Sequence, residues 1–355
     1  MRGFAWRPIE SRTTNAARSA LMVLAILCAA WQASAQDTPL ISGGGGFLTS
    51  TNGGNTTYTP IIEPLLAAPL GKHVLIESRA ALVESFFPKS GSESGYGHIH
   101  AAALTYLQGS VVASPHLNIV AGSFLTPFGT YNERLSPVWI TNLQDGPMIN
   151  SLGLMSTGTS LGGMLRGSAV SRSTYSITYA GYFSAHSGNE QFNAQRAFGG
   201  RVSVYRPGAR LEGGLSYGRR LEGTQENFYG AHLWWEPKDT ALRLRWEFAR
   251  GHHAQGYWLE ADYHLERFGG ANSWIGRFEP VFRMQQTFRR DTIVSDGLPF
   301  VNTQRADAGI DYNLPHNVRI LTSYSRQFAS TGGRNIWETG IVYRFLFPAW
   351  KEKKQ

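Results

Sequence analysis

Cysteine is nearly missing: the one residue, Cys28, lies inside the leader described below, so the chain beyond it has no disulfide to rely on. An exported chain without disulfides must be held by its backbone ladder and its packing. Also missing, after the leader, is any run of about eighteen apolar residues, which excludes helical membrane spans. Clustered basic charge is scarce as well. The arginines stand singly, and the one basic run, Lys351-Glu352-Lys353-Lys354, reads as a solvated tail, so nucleic acid is not an expected partner.

What is present points to export. Arg2, Arg7, Arg12 and Arg18 form a basic leader, Ala20 to Trp31 an apolar core, and Ala33-Ser34-Ala35 a small-residue cleavage pattern before Gln36. Leu27 stands where a lipoprotein needs a small residue before its modified cysteine, so no lipid anchor is expected. Removing residues 1–35 takes away four basic residues and one acidic, lowering the formal charge from +8 to +5.

The remainder is rich in glycine (40 residues) and aromatics (12%), arranged in short alternating runs that imply an all-β chain. In 242–250, Leu242, Leu244, Trp246 and Phe248 face one way and Arg243, Arg245 and Glu247 the other. In 257–266, Tyr257, Leu259, Ala261 and Tyr263 oppose Trp258, Glu260 and Asp262. In 305–314, Ala306, Ala308, Ile310 and Tyr312 oppose Arg305, Asp307 and Asp311. A soluble sandwich would bury the apolar face, whereas an outer-membrane barrel turns it to lipid and lines an aqueous lumen with the charges. Export, absent cysteines, regular hairpins and aromatics at strand ends favour the barrel.

Seven tight turns are expected, at Gly71-Lys72, Ser114-Pro115, Ser171-Arg172, Pro207-Gly208, Pro237-Lys238, Gly269-Gly270 and Pro315-His316. They imply eight hairpins and 16 transmembrane antiparallel strands, with 14 or 18 as alternatives because Gly43–Gly46, Pro60 and Pro64 interrupt the first two runs. Longer connections are expected near 50–57, 88–97, 125–158, 185–197, 222–226, 250–255, 289–301 and 329–333. Outward Trp235, Tyr312, Tyr343 and Phe345 would form a periplasmic aromatic girdle, and Phe183, Phe248, Tyr257, Phe288 and Phe328 an outer one. The organisation is then a signal peptide at 1–35, a barrel at 36–345 and a short periplasmic tail at 346–355, in the outer membrane of a Gram-negative-type bacterium. Lipid and lipopolysaccharide would surround it.

The longest departure from alternation is 125–158, opening with Thr126-Pro127-Phe128-Gly129 and Ser136-Pro137, which break any ladder. The aromatics of the stretch 118–145 (Phe124, Phe128, Tyr131 and Trp139) argue for an ordered loop folded into the lumen, with a lid over the barrel mouth as the alternative. The segment AGSFLTPFGTYNERLSPVWI (121–140) resembles the phosphate-selective porin O/P family and related porins. That resemblance implies a 16-stranded, trimeric barrel whose third long extracellular connection narrows the channel. The segment 125–158 is the third long connection here. Family members that select phosphate carry dense arginine and lysine in the pore, while this inner face mixes signs.

Strand parity places Arg79, Arg166, Arg201, Arg210, Arg243, Arg245, Arg277, Arg283, Arg305, Arg319 and Arg344 on the inner wall. It places there an equal number of acids: Glu77, Glu212, Glu236, Glu247, Glu260, Asp262, Glu266, Glu279, Asp307, Asp311 and Glu338. In the loop, Phe128, Tyr131, Glu133, Arg134 and Asp145 are the candidate constriction residues, with the charged three facing wall arginines such as Arg79 and Arg166. The bland reading is that most of these charges pair across neighbouring strands and keep the wall wet. The expected function is passive diffusion of small hydrophilic solutes, with anions such as phosphate favoured, and no catalysis, metal or cofactor.

Two other readings stay open: a phospholipase-like barrel enzyme and a plugged structural or adhesive barrel. The first draws on His186, Ser187 and Asn189, but adjacent residues of a strand point to opposite faces, which separates base from nucleophile. His98 and His100 share a face yet lack a third ligand, and His252-His253 reads as a polar loop tip.

Overall fold

The computed structural model describes residues 38–349 apart from 90–94, 151–157, 190, 224, 271 and 292–295; the expected leader lies outside them. The wall opens with β1 (Leu40–Asn52), β2 (Asn55–Leu70), β3 (Val74–Pro88) and β4 (Tyr96–Ser114). β5 (Leu117–Leu125) precedes the long loop and β6 (Thr159–Ser171) follows it. β7 (Ser176–Ser184), β8 (Ala197–Arg206), β9 (Leu211–Arg220), β10 (Asn227–Trp235), β11 (Leu242–Arg250) and β12 (Ala254–Tyr263) continue the wall. β13 (Phe278–Arg289), β14 (Thr303–Leu314), β15 (Val318–Ala329) and β16 (Gly332–Pro348) complete it. Each strand pairs antiparallel with its sequence neighbours, and β1 pairs with β16 from Leu40↔Pro348 to Asn52↔Ile336, so the 16 strands close into a barrel with no free edge. The two runs that left 14 strands open are both present, with Gly43 adopting φ +144 inside β1.

Exposure decides which face meets the membrane. Leu259 (42%), Phe282 (50%) and Ile310 (40%) are exposed, whereas Glu260 (2%), Arg283 (2%) and Asp311 (1%) are buried. The apolar face therefore points outward and the ionic face inward, the reverse of a soluble sandwich. Outward rings form chains at both ends. Phe47–Tyr58–Tyr96 (6.2 and 5.7 Å) and Phe198–Tyr217–Tyr229 (6.1 and 5.6 Å) lie toward the long connections. Phe278–Tyr312 (4.7 Å) and Tyr343–Phe345–Phe347 (6.4 and 5.8 Å) lie toward the end that holds the termini.

Three connections differ from expectation. Gly53 and Gly54 (φ +57 and +84) make the β1–β2 link a tight turn, because paired left-handed residues match the twist of the strands they join. The β15–β16 link is equally short, with β15 ending at Ala329 and β16 starting at Gly332. Conversely, Gly269-Gly270 is no hairpin turn. β12 stops at Tyr263, and residues 264–277 contain the helical turn α2 (Glu266–Gly269), which Gly270 ends at φ +77. β16 also runs past Phe345 to Pro348.

At the centre of β12, Leu259 should sit near mid-bilayer. Leu259→Arg is expected to cost about 2–4 kcal/mol of stability in urea unfolding from phospholipid vesicles; an unchanged unfolding curve would place this position outside the hydrocarbon.

Candidate pore constriction

A backbone segment inside a barrel needs partners for its own N–H and C=O groups. The described part of the loop, residues 126–150, finds many of them on the wall. The N–H of Val138 donates to Glu63 of β2 (2.7 Å), and Arg79 of β3 donates to the Ser136 hydroxyl (3.2 Å). On the far side, Glu247 of β11 accepts from the N–H of Thr130 (3.0 Å), the Thr130 hydroxyl (3.3 Å) and the N–H of Tyr131 (3.3 Å). Ser216 of β9 accepts from the N–H of Gly129 (3.0 Å), Gln285 of β13 from that of Met148 (2.8 Å), and Arg283 donates to the Asp145 carbonyl (2.7 Å). Arg319 of β15 donates to the Thr141 carbonyl and, at 3.2 Å, to the Asn142 side chain.

Two apolar clusters fix this run, one near its two ends and the other at its middle. Phe128, Tyr131, Leu135 and Ile149 pack with Val120, Met164, Phe228 and Trp258, while Val138 and Trp139 pack with Leu48, Ile61, Leu321 and Val342. The wall is hollowed to receive them. A Cβ on Gly230 would lie 2.8 Å from the Phe128 ring, one on Gly44 2.8 Å from Trp139, one on Gly256 2.4 Å from Ile149 and one on Gly309 2.9 Å from Leu143. Gly129 (φ +63) is needed twice over, since a Cβ there would also meet the Glu247 carboxylate at 1.9 Å.

The constriction candidates separate into two roles. Phe128 (2% exposed) and Tyr131 (7%) are buried anchors, and Tyr131 stands edge-on to Trp258 at 6.1 Å. Burial pushes the Tyr131 phenol up to about 12, so it is uncharged at neutral pH. Glu133 and Arg134 of the helical turn α1 (Tyr131–Arg134) face open lumen. Glu133 pairs with Arg201 (2.7 Å) and lies 3.8 Å from Arg166; Arg134 meets an acid, Glu212, through two bonds of 2.8 and 2.9 Å. Asp145 pairs with Arg305 at 2.8 Å. Arg79 binds the loop through Ser136 and stacks on Tyr106 (5.5 Å), without reaching a loop carboxylate in any ion pair.

Behind the loop the wall charges pair from strand to strand. Register sets Arg245 opposite Glu260, Glu260 opposite Arg283 and Arg283 opposite Asp307, an alternating row across four strands. Arg245–Glu260 and Arg283–Glu260 are both 2.7 Å, and Arg243 reaches Asp262 (2.8 Å) and Glu279 (2.9 Å). The bland reading of these charges describes this half of the wall. Four of the charges assigned to the inner wall lie outside strands: Arg210 in the β8–β9 turn, Glu236 after β10, Glu266 in α2 and Arg277 just before β13.

The remaining lumen lies on the other side, between α1 and β3, β4, β6 and β8. A space of about 270 Å³ is lined there by Glu77, Tyr106, Gln108, Leu125, Glu133, Arg134, Met164, Arg166 and Arg201. Its most accessible cation is Arg166, with 46% of the side chain exposed. Sequence reading missed Glu63, Ser216, Gln285 and the docking glycines; inward-parity glycine was the signal that could have found the last. The hydrolase set does not assemble: His186 pairs with Glu222 (2.9 Å), while Ser187 sits in a bridge with Ala194.

No protein-family model matches the chain, and no curated protein is similar in sequence. Solved structures are similar in fold. The anion-selective porin from Comamonas acidovorans superposes with TM-score 0.55 at 13% identity, covering 87% of this chain and 99% of that one. OmpF of Salmonella typhi gives 0.54 at 11% identity (87% and 97%), and OccK7 (OpdD) of Pseudomonas aeruginosa gives 0.50 at 12% (89% and 100%). The fold is thus that of the porin-type membrane barrel. The resemblance to the O/P family, carried in detail by the segment around residues 121–140, finds no matching family model.

Removing the loop's principal acceptor should loosen it. Glu247→Ala leaves two buried N–H groups unpaired and is expected to cost roughly 1.5–3 kcal/mol in urea unfolding, with added current noise in a planar bilayer. Wild-type stability and a quiet current would mean that the loop is held elsewhere.

Proposed function

We propose that the protein is an outer-membrane porin through which small hydrophilic solutes diffuse passively, with anions such as phosphate favoured. The observation that carries this reading is the off-centre packing of the loop. It docks on the wall from β9 round through β16 to β1 and β2 and leaves a polar gap beside β3–β8, lined by three guanidinium groups and two carboxylates. Opposed charges in a narrow aqueous gap orient a solute, and an excess of arginine favours anions. No step in this reading calls for a nucleophile, metal or cofactor, so the protein is proposed to be a channel and not an enzyme.

The same reading makes residues 1–35 a cleaved signal and places the barrel in the outer membrane of a Gram-negative-type bacterium, among lipid and lipopolysaccharide. It makes the working form a homotrimer. Support for the trimer comes from Glu84, which carries His98 and His100 on the outer face of β3–β4 beside Phe86. A charged group turned toward hydrocarbon is costly, and a neighbouring protomer would cover it. The runner-up is a barrel plugged by its own loop, favoured by how much of the wall the loop occupies.

Planar-bilayer recording separates the two. The porin reading expects stable open steps that grow when residues 128–150 are deleted. It also expects a reversal potential in asymmetric KCl that shifts toward cation preference in Arg166→Glu. No conductance from the intact chain would favour the plugged barrel, and unchanged conductance in the deletion would remove the constriction.

A further inference from the structure

At the end of the barrel that carries the long connections, two loops bring three metal-ligating side chains together. His252 and His253 belong to the short β11–β12 link, and Asp291 follows β13. One donor atom from each lies within 4.8 Å of the other two. The Nδ1 atom of His253 is 3.2 Å from Oδ2 of Asp291, and the two imidazole rings are 4.7 Å apart at 87°. The backbone fixes this arrangement: the N–H groups of Arg290 (2.9 Å) and Asp291 (3.4 Å) both donate to the His253 carbonyl, and that of Gly251 donates to the Ala254 carbonyl (2.9 Å). Arg290 and Asp291 are thus held against the β11–β12 link by backbone bonds.

The far side of His253 faces a third connection. Its Nε2 lies 3.0 Å from Oε1 of Glu226, whose other oxygen accepts from Arg220 at 2.7 Å. Glu226 lies within ion-pair reach of Nε2 without an aligned hydrogen bond to it, and a carboxylate on that side favours the proton there and leaves the other ring nitrogen as the ligand. Here that nitrogen is Nδ1, which already faces Asp291. The rest of the barrel offers a useful contrast. Among the described residues the other cluster of this kind is Asp262, His264 and Glu279, and there the Arg243 guanidinium already bonds both carboxylates. No guanidinium bonds Asp291 in the same way: its one ion-pair partner among the described residues is His253.

We propose that His252, His253 and Asp291 form a binding site for a divalent transition-metal ion of the zinc type, with Glu226 positioning His253. Two imidazoles and one carboxylate leave room for water or a further ligand, which suits zinc, cobalt or nickel better than calcium or magnesium. A bound ion would clasp the β11–β12 and β13–β14 links together beside the barrel mouth. The site lies away from the gap between α1 and β3–β8, so it stands apart from the channel reading.

The experiment uses the full barrel in detergent, without a histidine tag, titrated with Co²⁺ and followed by its visible absorption and by calorimetry. One equivalent is expected to bind and to be displaced by Zn²⁺, and Zn²⁺ should raise the melting temperature. His252→Ala and Asp291→Asn should each abolish the absorption, and Glu226→Gln should weaken binding about 10–100-fold. His98→Ala should leave it unchanged. Lack of stoichiometric binding by the wild type, or binding that survives His252→Ala with Asp291→Asn, would overturn the assignment, as would binding lost in His98→Ala.

Discussion

The structure depends on one exchange of hydrogen-bonding partners between the loop and the inner wall. A barrel of 16 strands encloses more space than its own inward side chains fill. Chain that enters that space leaves bulk water and must satisfy its backbone elsewhere. Glu63, Ser216, Glu247, Gln285, Arg283 and Arg319 supply acceptors and donors at the loop's level. The exchange has a second side. Once covered, the wall charges lose water too, and a buried charge is tolerable only when paired. The pairs Arg245–Glu260, Arg283–Glu260 and Arg305–Asp307 provide that pairing beneath the loop.

This exchange gives the lumen two unlike halves. On the side where the loop docks, wall side chains such as Trp258, Glu260, Arg283 and Leu321 are buried. Along β3–β8 the lumen keeps a polar gap, with α1 as its inner edge. Glu133 and Arg134 sit at the boundary, and both are tied down, one to Arg201 and the other to Glu212. An edge held by ion pairs on two strands is a fixed lip, and the proposed channel is therefore narrowed by geometry that does not need to move.

Much of the barrel was legible because strand parity is a local property. Leu259 and Glu260 declare opposite faces whatever surrounds them, and the turn residues at Pro207-Gly208 or Pro315-His316 mark the hairpins between. Legibility failed where a local signal has two meanings. Gly53-Gly54 closes a hairpin, while Gly269-Gly270 ends a helical turn, and only the long-range pairing of β12 with β13 tells them apart. The loop was recognisable from its prolines and aromatics, and so was its entry into the lumen. Its docking was not, because it depends on which wall positions lack a side chain. Gly44, Gly230, Gly256 and Gly309 all fall on inward parity, and they could be read as a footprint only with the loop in place. Likewise, Arg134 was expected from its place in the loop to face wall arginines, whereas its partner is the acid Glu212.

The central claim is that solutes pass beside β3–β8 and not behind the loop. It is tested most directly by the current through single-cysteine channels treated with an anionic thiosulfonate. Arg166→Cys, in the open gap, is expected to react and lower the current in steps, and Gln285→Cys, under the loop, to stay unmodified. A current that ignores modification at residue 166, or that falls at residue 285, would contradict the account.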